Sequence, residues 1–102
     1  MRVRIKLCGM MRREDIESAS RLGVDAVGLV FYATSPRNLR SGQAQELAAS
    51  APAFLTVIAV FMNPARAEVE AVLRTMRVDV LQFHGAESPE FCRAFGRGYI
   101  KA

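Results

Sequence analysis

Apolar and polar residues alternate at the start of the chain, where Val3, Ile5 and Leu7 interleave with Arg2, Arg4 and Lys6. A period of two predicts a strand that ends at Cys8-Gly9, its basic face near solvent or at a sheet edge. The period then lengthens. Ile16, Ala19 and Leu22 recur on one helical face beside Ser20, with Glu14, Asp15 and Glu17 in the first turn and Gly23 placed as a C-cap. Residues 26–31 are apolar except for Gly28, as in a strand buried on both faces of a parallel sheet.

After a mostly polar loop at 32–40, Ser41 is placed to cap a helix carrying Ala44, Leu47 and Ala48, with Pro52 marking its end. Residues 55–61 read as a third strand. Asn63-Pro64 predicts the next helix start, since an Asn oxygen accepts orphan amide hydrogens and proline at the first position loses no bond. Its buried stripe is Val69, Val72, Leu73 and Met76. Residues 78–83 form a fourth strand leading into His84 and Gly85. Ser88-Pro89 opens a short helix with Phe91, Cys92 and Phe95 inward, and residues 99–101 begin a fifth strand.

Five strands alternating with four helices through short loops predict β-α-β units with a parallel sheet and right-handed crossovers. No linker or second domain is expected. A last strand without a covering helix leaves the final layer unfinished, so the unit reads either as small and open or as half of a larger one.

Composition narrows the class without naming a function. The 102 residues are 51% hydrophobic and 24% charged, with four prolines and seven glycines, which suits one globular unit. At this size folding buries roughly 65% of the unfolded surface, a core with little reserve. Fourteen basic against ten acidic residues leave a net charge of +4. Arg12, Arg13, Arg37, Arg40, Arg93 and Arg97 are dispersed along the chain, so no nucleic-acid stripe is expected. The longest apolar runs fall far short of a bilayer, and the basic first residues lack the apolar centre of an export leader. Neither membrane nor export is expected. Cys8 and Cys92 therefore read as free thiols of a reducing, cytoplasmic compartment.

The spacings GxGxxG, GxxxxGK[ST], CxxC and HExxH do not occur, so dinucleotide, P-loop and common zinc sites have no local support. Candidate chemistry follows strand ends instead. Cys8, the loop with Ser35, Pro36 and Arg37, Asn63, and the pair Gln82 and His84 all fall near the C-terminal ends of predicted strands, where parallel α/β folds build sites. Cys8 suits a nucleophile or base if a cation such as Lys6 or Arg37 favours its thiolate; otherwise it is a small buried hydrophobe. Arg37 offers a two-pronged grip on a carboxylate or phosphate, or is a solvated arginine. His84 suits a ligand contact or proton carrier, and equally a packed histidine satisfied by backbone.

Read in order, Lys6-Leu7-Cys8-Gly9, Asp25-Ala26-Val27-Gly28-Leu29-Val30-Phe31, Ser35-Pro36-Arg37, Val60-Phe61-Met62-Asn63 and Asp79-Val80-Leu81-Gln82-Phe83-His84-Gly85 resemble the phosphoribosylanthranilate isomerase family of tryptophan biosynthesis. Phe83 stands where that family more usually has Leu. The resemblance implies a (βα)8 barrel, of which residues 1–102 are the N-terminal part of a single domain. It implies a cofactor-free Amadori rearrangement of a phosphosugar, N-(5-phosphoribosyl)anthranilate. Cys8 is then the base that removes the sugar C2 proton, Arg37 holds the anthranilate carboxylate, and Gln82 and His84 are further substrate-binding residues.

The family's general acid, an aspartate, and its phosphate-binding loops come from the second half of the barrel, beyond Ala102. The expectation is an isolated piece without activity. An alternative is a non-catalytic half-barrel that forms homo-oligomers or complements a separate C-terminal half. The structure is expected to hold sequentially ordered parallel strands with Cys8, Arg37 and Gln82 near one rim.

Overall fold

The structure, a computed structural model, describes residues 3–32 and 35–102, with the backbone alone at Ser41. Met1 and Arg2 of the predicted first strand, residues 33–34 of the predicted polar loop and the capping hydroxyl expected of Ser41 lie outside what it describes. The elements in chain order are β1 (Lys6–Cys8), α1 (Arg13–Arg21), β2 (Ala26–Val30), α2 (Ser41–Ser50), β3 (Thr56–Phe61), α3 (Arg66–Thr75), β4 (Val80–Phe83), α4 (Pro89–Cys92), a 3-10 turn (Arg93–Phe95) and β5 (Gly98–Lys101). The five strands form one parallel sheet in sequential order.

Period two sorts the strand residues onto two faces. Val27, Leu29, Val57, Ala59, Phe61, Leu81 and Phe83 face the helices and meet Ile16, Ala19, Ala44, Leu47, Ala48 and Val69. Each of these is nearly or wholly removed from water, so truncating one to alanine, where it is larger, costs about 2–5 kcal/mol. Phe83 is the aromatic hub. It packs edge-on to Phe91 at 5.7 Å and against Phe61 and Phe95 at 6.3 and 6.1 Å.

The other face carries Ala26, Val30, Ile58 and Val60, with Cys8, Tyr32 and Val80 against them. Register places Cys8 beside Gly28, and Val60 beside Gln82. This face is curled. Lys6 of β1 donates to Gln82 Oε1 of β4, although three strand spacings, roughly 14 Å in a flat sheet, separate those strands. Side chains standing perpendicular to a flat sheet do not close that gap.

At the N-terminal end two aspartates do the same work. Asp25 donates its N–H to Ile5 O at 2.9 Å and accepts the Ile5 N–H on Oδ2 at 2.7 Å. Asp79 repeats both bonds with Val57, each at 2.9 Å.

Several expectations are corrected. β1 is an edge strand as expected, but it is shorter than the alternation predicts: Val3 and Ile5 precede it, 81% and 50% accessible, and within it Leu7 is exposed while Lys6 is half-buried by its reach to Gln82. Leu22 does not join the α1 stripe and is 78% exposed, because α1 ends at Arg21 and Gly23 follows at φ +78°. α2 begins at Ser41 itself, with Arg40 as the N-cap residue. Asn63 does not cap α3. That helix begins at Arg66 after Ala65, whose N–H is accepted by Glu68 Oε1 at 3.2 Å, and the Asn63 carboxamide is committed to the neighbouring loop. Ser88 does cap α4, its Oγ accepting the Phe91 N–H at 3.1 Å.

Candidate active site

Cys8 ends β1 on the curled face, half-buried. Its neighbour in register is Gly28, and the absence of a side chain there matters: a Cβ on Gly28 would lie 2.9 Å from Cys8 Sγ and 3.3 Å from Cys8 Cα. β2 therefore leaves a notch that the thiol occupies. A glycine inside an apolar strand run is the sequence sign of such an approach.

Arg37 comes from the β2–α2 loop, which is ordered locally by the Ser35 hydroxyl accepting the Arg37 N–H at 3.1 Å. The side chain crosses Gly9, where a Cβ would stand 2.4 Å from Arg37 Cδ, and one guanidinium nitrogen donates to Cys8 O at 3.3 Å. Gly9 itself has φ +79°, a left-handed turn that favours glycine. Among the described residues, that bond to Cys8 O is the one the guanidinium makes, and it sets a five-donor fork beside the thiol-bearing residue.

Gln82 lies on the curled face of β4, 8% exposed, its carboxamide oxygen accepting from Lys6. His84 follows β4 directly. Its backbone N–H donates to Phe61 O at 2.8 Å and its side chain is exposed at the rim. The four predicted residues thus gather at the C-terminal ends of the strands, with Arg37 bonded to Cys8 and Gln82 tied to the strand that carries Cys8. His84 shares the rim without a hydrogen bond to either.

Two participants were not anticipated in these roles. Lys6 is expected as a cation near Cys8, two residues away on the same face, but its bond to Gln82 across the sheet carries no signal in the sequence. Glu87 carried no sequence signal. Its carboxylate accepts the N–H groups of Asn63 and Gly85 at 2.6 and 2.9 Å, joining the β3–α3 and β4–α4 loops. Cys92 is excluded from surface chemistry: it is buried on α4, and desolvation, helped by the charge of Glu87, pushes its thiol pKa up.

Sequential parallel strands, helices packed on one face and polar side chains collected at the strand C-termini define a (βα)-barrel type of enzyme scaffold. The family profile of N-(5'-phosphoribosyl)anthranilate isomerase matches residues 5–101, and the chain belongs to that family. The curated N-(5'-phosphoribosyl)anthranilate isomerase of Alcanivorax borkumensis is 52% identical over 99 residues, covering 97% of this chain and 45% of the relative.

Among solved structures, phosphoribosyl anthranilate isomerase from Thermotoga maritima superposes with a TM-score of 0.93 at 33% identity, over 98% of this chain and 50% of the other. A phosphoribosyl anthranilate isomerase bound to reduced 1-(o-carboxyphenylamino)-1-deoxyribulose 5-phosphate gives the same score and identity, over 98% and 53% of the two chains. The chain spans about half the length of the relatives it matches.

Proposed function

We propose that this chain carries the N-terminal part of the catalytic apparatus of a phosphoribosylanthranilate isomerase, within a single (βα)8 domain of the cytoplasm. The reaction is the Amadori rearrangement of N-(5-phosphoribosyl)anthranilate to 1-(2-carboxyphenylamino)-1-deoxyribulose 5-phosphate, without a cofactor. Once protonation of the ring oxygen has opened the furanose to a C1=N iminium, Cys8 as thiolate takes the C2 proton, the C2–H pair forms a C1=C2 bond as the C1=N pair moves onto nitrogen, and the resulting enolamine becomes the ketose by gaining a proton at C1 and losing the C2 hydroxyl proton. Arg37 pairs with the anthranilate carboxylate, and Gln82 and His84 contact the sugar. The acid that protonates the ring oxygen and the cradle for the phosphate belong to the remainder of the barrel, so these 102 residues alone do not turn over.

The observation that most favours this reading is the Arg37 guanidinium bonded to Cys8 O, which puts an anion-binding fork next to the base. The test is the intact mass of the natively expressed protein together with loss of substrate fluorescence. The expected active species is about twice as long as this chain, and Cys8→Ala lowers its kcat by about 10²–10⁴-fold, the usual share of a general base. Undiminished turnover in Cys8→Ala overturns the assignment. Turnover by the 102-residue chain above its own Cys8→Ala control keeps Cys8 as the base and overturns instead the statement that these residues alone do not turn over.

A second reading, a half-barrel that associates with itself or with a separate C-terminal half, is favoured by the exposed apolar residues Ile5, Tyr99 and Ile100 at the two sheet edges.

A further inference from the structure

Glu87 lies on the same rim as His84, and no step of the proposed reaction employs it. Its side chain is only 3% exposed, an unusual position for a carboxylate unless other groups satisfy it. Those groups come from three places. Oε2 accepts the Asn63 N–H at 2.6 Å from the β3–α3 loop, and Oε1 accepts the Gly85 N–H at 2.9 Å from the β4–α4 loop. The Lys101 ammonium at the end of β5 lies 3.5 Å from Oε1 and also donates to Gly85 O.

Asn63 closes the assembly from the other side. At φ +49° it occupies the left-handed region, and its Oδ1 accepts the Ala86 N–H at 2.7 Å. A Cβ on Gly85 would stand 2.5 Å from that oxygen, so only glycine admits the carboxamide here. The residues flanking His84 on its C-terminal side are therefore held by both neighbouring loops.

We propose that Glu87 is the positioning residue of this rim: its carboxylate clamps the backbone at Gly85 to the β3–α3 loop and to the end of β5, and so fixes where His84 presents its side chain. What His84 is presented to rests on the isomerase reading; the clamp does not.

The carboxylate form is the one the clamp requires. Burial alone raises the Glu87 pKa, but the N–H groups of Glu87 itself, Asn63 and Gly85, with the charge of Lys101, outweigh it and hold the group below the usual glutamate value. The titrating groups that face it are Lys101 from β5 and the Cys92 thiol from α4, while Asn63 brings none. The clamp is thus complete above the ordinary glutamate pKa of about 4.3 and is released as pH falls through the lower folded value.

The experiment is an NMR titration of the 102-residue chain from neutral to acid pH. The Asn63 and Gly85 amide protons are expected to share one step, below the usual glutamate value and coincident with the Glu87 carboxyl carbon, and the His84 ring resonances are expected to report the same step. In Glu87→Gln, where an NH₂ group replaces one acceptor, both amide steps vanish, and with them the component of the His84 shifts that follows the Glu87 midpoint. Separate midpoints for the two amides, steps that survive the substitution, or His84 resonances blind to the Glu87 midpoint each overturn the proposal. If Glu87→Gln does not fold, the coincidence of midpoints in the unsubstituted chain decides. None of these readouts involves substrate, so a failed clamp and a failed Cys8 assignment are told apart.

Discussion

At Cys8 the deciding neighbour is a missing methyl. The Gly28 notch receives the thiol, and the 2.9 Å that a Cβ would leave to Sγ is well inside ordinary contact. Gly28→Ala is expected to displace and cover the thiol and to cost about 1–3 kcal/mol as an overpacked site. The measurement is the rate of alkylation at each cysteine, followed by mapping the labelled peptides. Cys8 should label several-fold more slowly in Gly28→Ala, while buried Cys92 stays protected in both chains until unfolding. An unchanged Cys8 rate means that the strands separate to absorb the methyl and that the notch does not control the thiol. Half of this environment was legible beforehand. Gly28 interrupts an otherwise apolar strand run, and Lys6 stands on the Cys8 face by period two, but the reach of Lys6 across the sheet to Gln82 depends on curvature, which alternation along one strand does not encode.

Between elements, the N-terminal end of the sheet is held by charge. Arg77 precedes β4 and donates to Ala51 O at 3.1 Å, Pro52 O at 3.2 Å and Leu55 O at 2.6 Å, while pairing with Asp79 at 2.9 Å. It thereby ties the carbonyls of the α2–β3 connection to the start of β4, and it pairs with the carboxylate that accepts the Val57 N–H. Arg77→Ala is expected to destabilise the chain by about 2 kcal/mol or more, since a half-buried charge-assisted bond is worth about 1.5–3 kcal/mol and several are lost together. Urea unfolding checks this, and a midpoint shift no larger than that of the surface control Arg74→Ala contradicts it. Strand and helix order was readable because buried faces impose periods of two and about three to four. Asn63 and Leu22 were misread because caps and helix ends are settled by what the adjoining loop does: Asn63 binds Ala86 rather than its own helix, and α1 stops before Leu22 can turn inward.

For the whole molecule the unresolved balance lies at the edges of the sheet. Among the described residues β1 and β5 each pair on one side only, and the flanking apolar side chains Val3, Ile5, Leu7, Tyr99 and Ile100 remain in contact with water. Relatives about twice as long carry further chain beyond the matched region, so these edges are where a barrel continues in a protein of that length. A polypeptide of these 102 residues has the same surfaces without that cover, and burying one isoleucine fully is worth about 1.5–3 kcal/mol, which shifts an association constant by roughly ten- to a hundredfold. Sedimentation velocity over a concentration series is therefore expected to reveal self-association. Ile5→Lys and Ile100→Lys, which place charges at the two edges, should move the distribution towards monomer without disturbing the helix-facing core, since neither residue belongs to it. A concentration-independent monomer in the unsubstituted chain refutes edge-driven association, and association that persists undiminished in the doubly substituted chain assigns it to another surface, the outer faces of the helices being the next to test.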